Sequence, residues 1–338
     1  MASRMRIRSV CCGVHGLALG FVAAMASGLA LAESDQNRAW CKGEGEPTAD
    51  QQITSCTSLI ESGFYRGQDL AQTYFSRAAG YLRKQDLDSA IKDLDAGLAL
   101  DPNNAAALYN RAVGYETNGD PDRALKDYDA AIKLKPDYLK ALTNRGAIYF
   151  KKGAYDRAIE DQNRVVALDP ADPTGLVNRG RSYAEKGDFG RAIEDFDQAV
   201  RLNELRFAPP SGYALYNRGL ALLAKGEIDR AIGDLNQAIG MGPPNPLIYE
   251  GLGLAFLLQG QFDQAIVDFD QALKLRPTLA SALYGRGVAK LRKGENESGE
   301  ADVSAARAIK PNVAEEFARY GLRWGRKSAS LMIADQAR

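Results

Sequence analysis

Histidine is nearly missing from this chain of 338 residues, in which His15 is the single example. Neither charge is in excess, since 43 Lys and Arg balance 43 Asp and Glu. A chain without a basic excess is a poor candidate for nucleic-acid binding, which normally relies on clustered positive charge. Hydrophobic residues make up 45% and charged residues 25%, which excludes the composition of a disordered chain. We therefore expect a folded protein that does not bind nucleic acid.

The first 32 residues have the pattern of a secretory signal peptide. Three arginines among the first eight residues precede Val10–Ala32, a stretch without charge that ends in Ala30-Leu31-Ala32. We predict cleavage after Ala32, a periplasmic or secreted product, and no stable membrane insertion after cleavage. The alternative is an uncleaved anchor, because these 23 residues are long enough to cross a bilayer.

Cleavage would change the chemistry available to the chain. It would remove His15 and leave 40 basic against 43 acidic residues, with Cys41 and Cys56 as the remaining cysteines. Two cysteines in an oxidising compartment usually pair, so we predict a Cys41–Cys56 disulfide, worth about 3 kcal/mol for so short a loop. Without histidine, a Ser-His-Asp or Cys-His site needs a residue from another protein, and the usual zinc ligands are missing. We predict no metal, no cofactor and no enzymatic activity.

A repeat of 34 residues runs through most of the chain. It is clearest in the segments that begin at Leu108, Leu142 and Leu176, each of which reads Leu-x-Asn-Arg-small-x-x-Tyr. Proline residues close several of the units, as at Pro136 and Pro170. A large apolar residue, a small residue four positions later and an aromatic residue three after that resemble the tetratricopeptide repeat (TPR) of secreted or periplasmic bacterial proteins.

The resemblance implies an all-α fold: a right-handed superhelical solenoid of about seven helix-turn-helix units, with N- and C-terminal capping helices. We place the units at residues 71–104, 105–138, 139–172, 173–206, 212–245, 246–279 and 280–313. Residues 33–70 would form a cap held by the disulfide, and residues 314–338 a C-terminal capping helix and tail. The capping helix should extend through Leu322, because Val313, Phe317, Tyr320 and Leu322 follow an amphipathic pattern.

Small residues recur at one point of each first helix. They are Ala78, Ala112, Gly146, Gly180, Gly219, Gly253 and Gly287. We expect them where the two helices of a hairpin approach most closely, because only a small side chain fits such a crossing.

Arginine and aspartate also repeat in register. Six of the seven units carry Arg at one position of the first helix, with Leu252 as the exception, and all seven carry Asp at one position of the second. Catalysis needs one special site, so this repetition favours a structural role. We predict that the arginines and aspartates pair across helix contacts. The alternative is ligand binding by the same side chains.

Four consecutive units carry asparagine directly before that arginine, namely Asn110, Asn144, Asn178 and Asn217. In TPR proteins resembling the glycosyltransferase with a long asparagine ladder, this position faces a concave groove and holds a peptide backbone. An amide suits that task because it both accepts and donates a hydrogen bond. The alternative is that each asparagine bonds its own scaffold.

Further groove positions in the first helices are aromatic or basic. They include Phe75, Tyr109, Tyr216 and Tyr284 beside the asparagines, with Lys140 and Arg181 in the central units. Such a surface could stack aromatic rings on a ligand and hold one anionic group. It matches only part of the two-carboxylate clamp found in chaperone-binding members of the family.

These patterns predict a protein-protein interaction scaffold or adaptor that binds an extended peptide or a partner's helix in its concave groove. The alternative is a carboxylate-dependent enzyme or glycan-binding subunit at the cell envelope, which would need an acid pair outside the repeat register. RNA binding by a helical-repeat code is a third class, opposed by the charge balance and the period of 34.

Overall fold

The computed structural model describes residues 35–205, 212–323 and 332–333. The predicted signal peptide, the insertion at 206–211 and most of the predicted tail lie outside these residues. The chain forms two compact units, one ending at Ala141 and the other beginning at Leu142. Within the described ranges, no helix is long and apolar enough to span a membrane.

The first unit contains helices that pair in chain order. Residues 35–42 form α1. It is followed by α2 (Ala49–Glu61), α3 (Gly67–Arg83), α4 (Leu87–Leu100), α5 (Ala105–Thr117) and α6 (Pro121–Leu134). The pairs α3/α4 and α5/α6 are antiparallel hairpins, and α2 packs on α3. The first helix of the first hairpin begins at Gly67, before residue 71, where the sequence pattern places the start of the first unit.

The second unit continues the pattern to the end of the described chain. The division between units falls within α7 (Leu139–Lys151). The next helices are α8 (Tyr155–Leu168), α9 (Pro173–Glu185), α10 (Phe189–Leu205), α11 (Gly212–Ala224), α12 (Ile228–Ile239), α13 (Pro246–Leu258), α14 (Phe262–Leu275), α15 (Ala280–Lys293), α16 (Asn296–Ile309) and α17 (Val313–Ala318). Two short antiparallel strands, β1 (Leu322–Arg323) and β2 (Met332–Ile333), follow.

Each hairpin turns on a residue with positive φ. In six of the hairpins that residue is a glycine, with φ between 74° and 86°, and in the first it is Gln85 at 60°. Glycine adopts this left-handed conformation without the steric cost of a Cβ atom. The second helix then starts directly after the turn, where side chains such as Asp86 and Asp120 accept hydrogen bonds from backbone N–H groups and cap the helix.

The small residues lie at the helix crossings, as the sequence predicts. A Cβ atom at Gly180 would lie 2.8 Å from the ring of Phe196, and one at Gly253 would lie 2.8 Å from the ring of Phe269. Both phenylalanines are fully buried. The missing side chain on the first helix thus makes room for a large ring from the second.

The N-terminal cap is held together covalently. Cys41 and Cys56 form a disulfide with Cα atoms 4.8 Å apart, which joins α1 to α2. The buried side chain of Gln52 donates to the Cys41 carbonyl at 3.1 Å and accepts from Arg83 of α3 at 2.5 Å. The cap is therefore attached to the first hairpin by a partly buried hydrogen bond between Gln52 and Arg83 as well as by packing.

The C-terminal segment differs from the predicted capping helix. Helix α17 ends at Ala318, and Leu322 lies in β1, where it pairs with Ile333 of β2. The prediction of a helix through Leu322 is wrong because Gly321 takes a φ of 78° and turns the chain. Val313 and Phe317 are buried as predicted.

Candidate functional site

The repeating arginines and aspartates pair within six of the seven hairpins. Arg179, for example, donates through Nε and Nη2 to the two carboxylate oxygens of Asp195, at 2.9 and 2.6 Å. The same two-bond arrangement occurs in Arg77–Asp93, Arg111–Asp127, Arg145–Asp161, Arg218–Asp234 and Arg286–Asp302. The predicted structural pairing is confirmed, and these side chains are already occupied.

Several of the arginines also contact the preceding hairpin. The Nη1 atom of Arg111 donates to Asp95, that of Arg179 to Asn163, and that of Arg286 to Asp270, at 2.6 to 2.8 Å. Each guanidinium therefore joins three helices with a rigid fork of donors. Asp268 belongs to the unit in which Leu252 replaces the arginine. It accepts a hydrogen bond from Gln264 at 3.3 Å instead. Burial raises the pKa of Asp268.

Two adjoining cavities lie along the first helices of the second unit. The central cavity, about 260 Å³, is lined by residues of α7, α9, α10, α11 and α13, among them Phe150, Tyr216 and Asn217. The polar pocket, about 120 Å³, is lined by Gly146, Gln162 and Asn178 together with their neighbours. Phe150 and Arg181 belong to both walls, so the two spaces meet at these side chains.

Arg181 is the cation at this junction. Its guanidinium carbon lies 4.5 Å from the ring centroid of Phe150 and 5.8 Å from that of Tyr213. Among the described residues, no carboxylate lies within ion-pair distance of it. Aromatic stacking holds the guanidinium plane while its N–H donors stay available for an incoming anion. Arg181 therefore presents its cationic group at the junction of the two cavities.

Gln162 makes the adjoining pocket polar. It is 1% exposed, its Nε2 lies 3.5 Å from the Thr143 carbonyl, and its Oε1 has no partner within the described chain. The other units carry Leu, Tyr, Phe or Val at this register position. A buried amide oxygen without a donor is unfavourable, and a ligand with an N–H or O–H group could supply one.

The asparagines of the ladder have different environments. Asn178 lines the polar pocket and Asn217 lines the central cavity. Asn217 donates to the Tyr213 carbonyl of its own helix at 2.6 Å, which is the scaffold role. Asn110, in the first unit, and Asn178 are half-buried, and their side chains form no hydrogen bond in the described structure. Asn144 is half-buried on α7.

The other predicted groove residues divide in the same way. Tyr216 lines the central cavity. Phe75 and Tyr284 are only 8% and 2% exposed, because Phe75 packs over Gly97 and Tyr284 lies under Phe317, so the prediction that they face a ligand is wrong.

Two predicted groove residues belong to the first unit. Tyr109 packs on Tyr128 and Tyr138, with centroid distances of 5.9 and 5.1 Å, and so supports the core of that unit. Lys140 is exposed at the start of α7 and lines neither cavity.

A third space, the C-terminal cavity, continues from the central cavity. Its volume is about 400 Å³, and it shares Glu185, Tyr216, Arg319 and Tyr320 with the central cavity. Arg319 donates to both carboxylate oxygens of Glu185 at 3.0 and 2.7 Å, which ties the end of the chain to α9. Burial raises the pKa of Tyr320 to about 12 and that of Tyr216 above its usual value, so both phenols stay neutral.

Sequence reasoning missed Phe150, Glu185, Arg319, Tyr320 and Glu250 as cavity residues. A usable signal exists in the repeat register. Arg181 and Glu250 are charged at first-helix positions that are uncharged in the other six units, as Lys140 also is, and Gln162 is polar at a second-helix position where the other units carry Leu, Tyr, Phe or Val. Arg181, Glu250 and Gln162 line the cavities of the second unit, whereas Lys140 does not.

Comparisons with known proteins agree with this architecture. Family models described as "Tetratricopeptide repeat" match residues 75–120, 114–173 and 177–246, and residues 146–206. One described as "TPR repeat" matches residues 254–294. No curated protein matches the chain.

Solved structures show the same fold at low sequence identity. A tetratricopeptide repeat protein from Parabacteroides merdae is 23% identical, with a TM-score of 0.62 over 74% of this chain and 98% of that one. A chain of the Cut9-Hcn1 hetero-tetramer of the APC/C is 21% identical, with a TM-score of 0.56 over 71% of this chain and 48% of that one. PilF of Pseudomonas aeruginosa is 21% identical, with a TM-score of 0.53 over 64% of this chain and 97% of that one.

Proposed function

Because the chain belongs to the tetratricopeptide repeat family, whose members are generally non-catalytic scaffolds for protein or peptide partners, we propose that its second unit binds an extended peptide segment of a partner protein. The peptide lies along the polar pocket and the central cavity, and the protein serves as an interaction scaffold without catalysis. Arg181 is the observation that carries the proposal.

The peptide presents an anionic group to Arg181. A guanidinium stacked on Phe150 and lacking a carboxylate partner is oriented for a carboxylate, either an acidic side chain or a chain terminus. The half-buried amide of Asn178, which has no partner in the described chain, lies in the same pocket and can grip the peptide backbone. Gln162 can accept a backbone N–H beside it.

The periplasmic location is part of this proposal. Two features support it: the signal-like pattern of residues 1–32 and the Cys41–Cys56 disulfide, a bond that persists in oxidising compartments. We infer that the scaffold acts in the cell envelope. The alternative, a carboxylate-dependent enzyme, cannot draw on most of the repeating aspartates, because six of the seven form ion pairs with arginine.

A random library of immobilised decapeptides tests the proposal with the full chain. We expect the captured peptides to be enriched in acidic groups. By fluorescence anisotropy, Arg181→Gln should weaken their binding by about tenfold or more. The control Arg201→Gln removes an exposed cation of α10 and should leave binding unchanged. Thermal unfolding would first show that both variants are folded. If no captured peptide then binds more weakly to Arg181→Gln than to the parent, the proposal is refuted.

A further inference from the structure

Glu250 is a carboxylate at a position where the repeat does not normally place a charge. The other six units carry Phe75, Tyr109, Thr143, Val177, Tyr216 and Tyr284 at this point of the first helix. Glu250 lies on α13 and lines the C-terminal cavity, as does Tyr216, but it brings a carboxylate to the wall. The departure from the register therefore coincides with a cavity.

The walls of this cavity suit a cation. The hydroxyl-bearing rings of Tyr216 and Tyr320 lie on its surface together with the hydroxyl of Ser281. Aromatic faces attract ammonium and guanidinium groups, most strongly where water is partly excluded. The apolar side chains of Leu220 and Leu254 supply contact for an aliphatic stem.

The charges of the cavity leave one carboxylate uncompensated. Arg319 pairs with Glu185, and Lys310 pairs with Glu316. Glu250 forms no ion pair among the described residues. When all of these side chains are ionised, three acids against two bases give the wall a net charge of −1.

We propose that the C-terminal cavity binds a cationic side chain, lysine or arginine, of the same partner peptide, with Glu250 as its counter-ion and Tyr216 and Tyr320 as its aromatic walls. The inference rests on the proposed function, because the C-terminal cavity adjoins the central cavity through shared residues. The peptide then carries an acidic group at Arg181 and a basic side chain farther along. Arg181 and Glu250 thus bind groups of opposite charge, and this difference sets the direction in which the peptide lies.

The binding should depend on pH in a defined sense. The pKa of Glu250 is raised to about 7, chiefly by burial and to a smaller extent by nearby Glu316, while Ser281, Arg276 and Lys310 act in the opposite direction. Since the cation needs the ionised carboxylate, its affinity should rise about tenfold between pH 6 and pH 8. The other titratable groups lining the cavity are Glu185, Glu316, Lys310, Arg319, Tyr216 and Tyr320. Residues 33–338 contain no histidine to produce the same change.

A small probe tests the cation site without any peptide. We would titrate the full chain with n-butylammonium chloride, using n-butanol as the neutral control, and follow the tyrosine ring resonances by NMR. Saturable shifts of Tyr216 and Tyr320 are expected with the ammonium alone, stronger at pH 8 than at pH 6 and lost in Glu250→Gln. Glu297→Gln removes an exposed acid of α16 and should change nothing. Shifts that are absent in the parent, or equal in Glu250→Gln, would overturn the inference.

A peptide pair separates this inference from the proposed function. Library peptides that depend on Arg181 would be remade with each basic residue replaced by norleucine, which has a similar length and no charge. The parent should prefer the basic form by about tenfold, whereas Glu250→Gln should bind both forms equally. Arg181-dependent binding without a basic preference overturns the cation site and leaves the proposed function standing. Ammonium binding without any Arg181-dependent peptide overturns the proposed function.

Discussion

The change Asp195→Asn tests the energetic role of the repeated ion pairs. Asp195 accepts two hydrogen bonds from Arg179, at 2.9 and 2.6 Å, and the side chains are 8% and 20% exposed. Asparagine keeps the shape but removes the charge and turns an N–H₂ group toward a guanidinium that also only donates. Breaking a fully buried pair costs about 3 to 5 kcal/mol. Because Arg179 is partly exposed and keeps its bond to Asn163, we expect a loss of about 2 to 3 kcal/mol.

The chain contains a matched control at the same register position. Asp268 is 8% exposed and has no arginine, because Leu252 stands in its place. Burial already raises the pKa of Asp268, so the charged form is disfavoured there. Asp268→Asn removes a charge that no arginine compensates and should change the free energy of unfolding by less than about 0.5 kcal/mol or increase it.

Urea unfolding at pH 7, followed by far-ultraviolet circular dichroism, gives the comparison. Native helix content of both variants at zero urea would be checked first. Equal losses in the two variants, or a larger loss for Asp268→Asn, would show that isosteric perturbation of the helix crossing, and not the ion pair, sets the cost. The pairing would then have only a geometric role.

Two further predictions concern packing and processing. Gly180→Ala should destabilise the protein by about 1 to 3 kcal/mol, since its Cβ would lie 2.8 Å from a buried ring, whereas Gly233→Ala, with open space around it, should stabilise by up to about 1 kcal/mol. Thermal unfolding of both variants checks this, and a loss in the second would contradict it. Mass spectrometry of the chain recovered from envelope fractions should show Glu33 as its first residue and an intact Cys41–Cys56 bond. A chain that retains residues 1–32 would contradict the proposed export.

The helical hairpins follow from local sequence. A period of 34 with small residues at Gly180 and Gly253 predicts where helices cross, because a missing side chain is needed wherever a ring such as Phe196 must fit. The Arg–Asp pairs were predictable for the same reason. Side chains that repeat in register meet equivalent neighbours in each hairpin, so one physical solution recurs.

The cavities depend on contacts between distant residues. Glu185 and Arg319 are 134 positions apart, and no repeat relates them. The sequence alone also placed Tyr284 in the groove, although Phe317 of α17 covers its ring. A repeat register specifies the face of a helix on which a residue lies, and it does not specify which neighbour covers that face.

The sequence by itself therefore determined the family, the hairpins and their internal ion pairs, because each depends on residues within one or two repeats. The tertiary structure decided which of the candidate side chains remain available. Packing buries Phe75 and Tyr284 and leaves Arg181 and Asn178 at the wall of a cavity. It also folds Tyr320 against the face that carries Glu250. Availability to a ligand is a property of what the rest of the chain covers, and that depends on long-range packing.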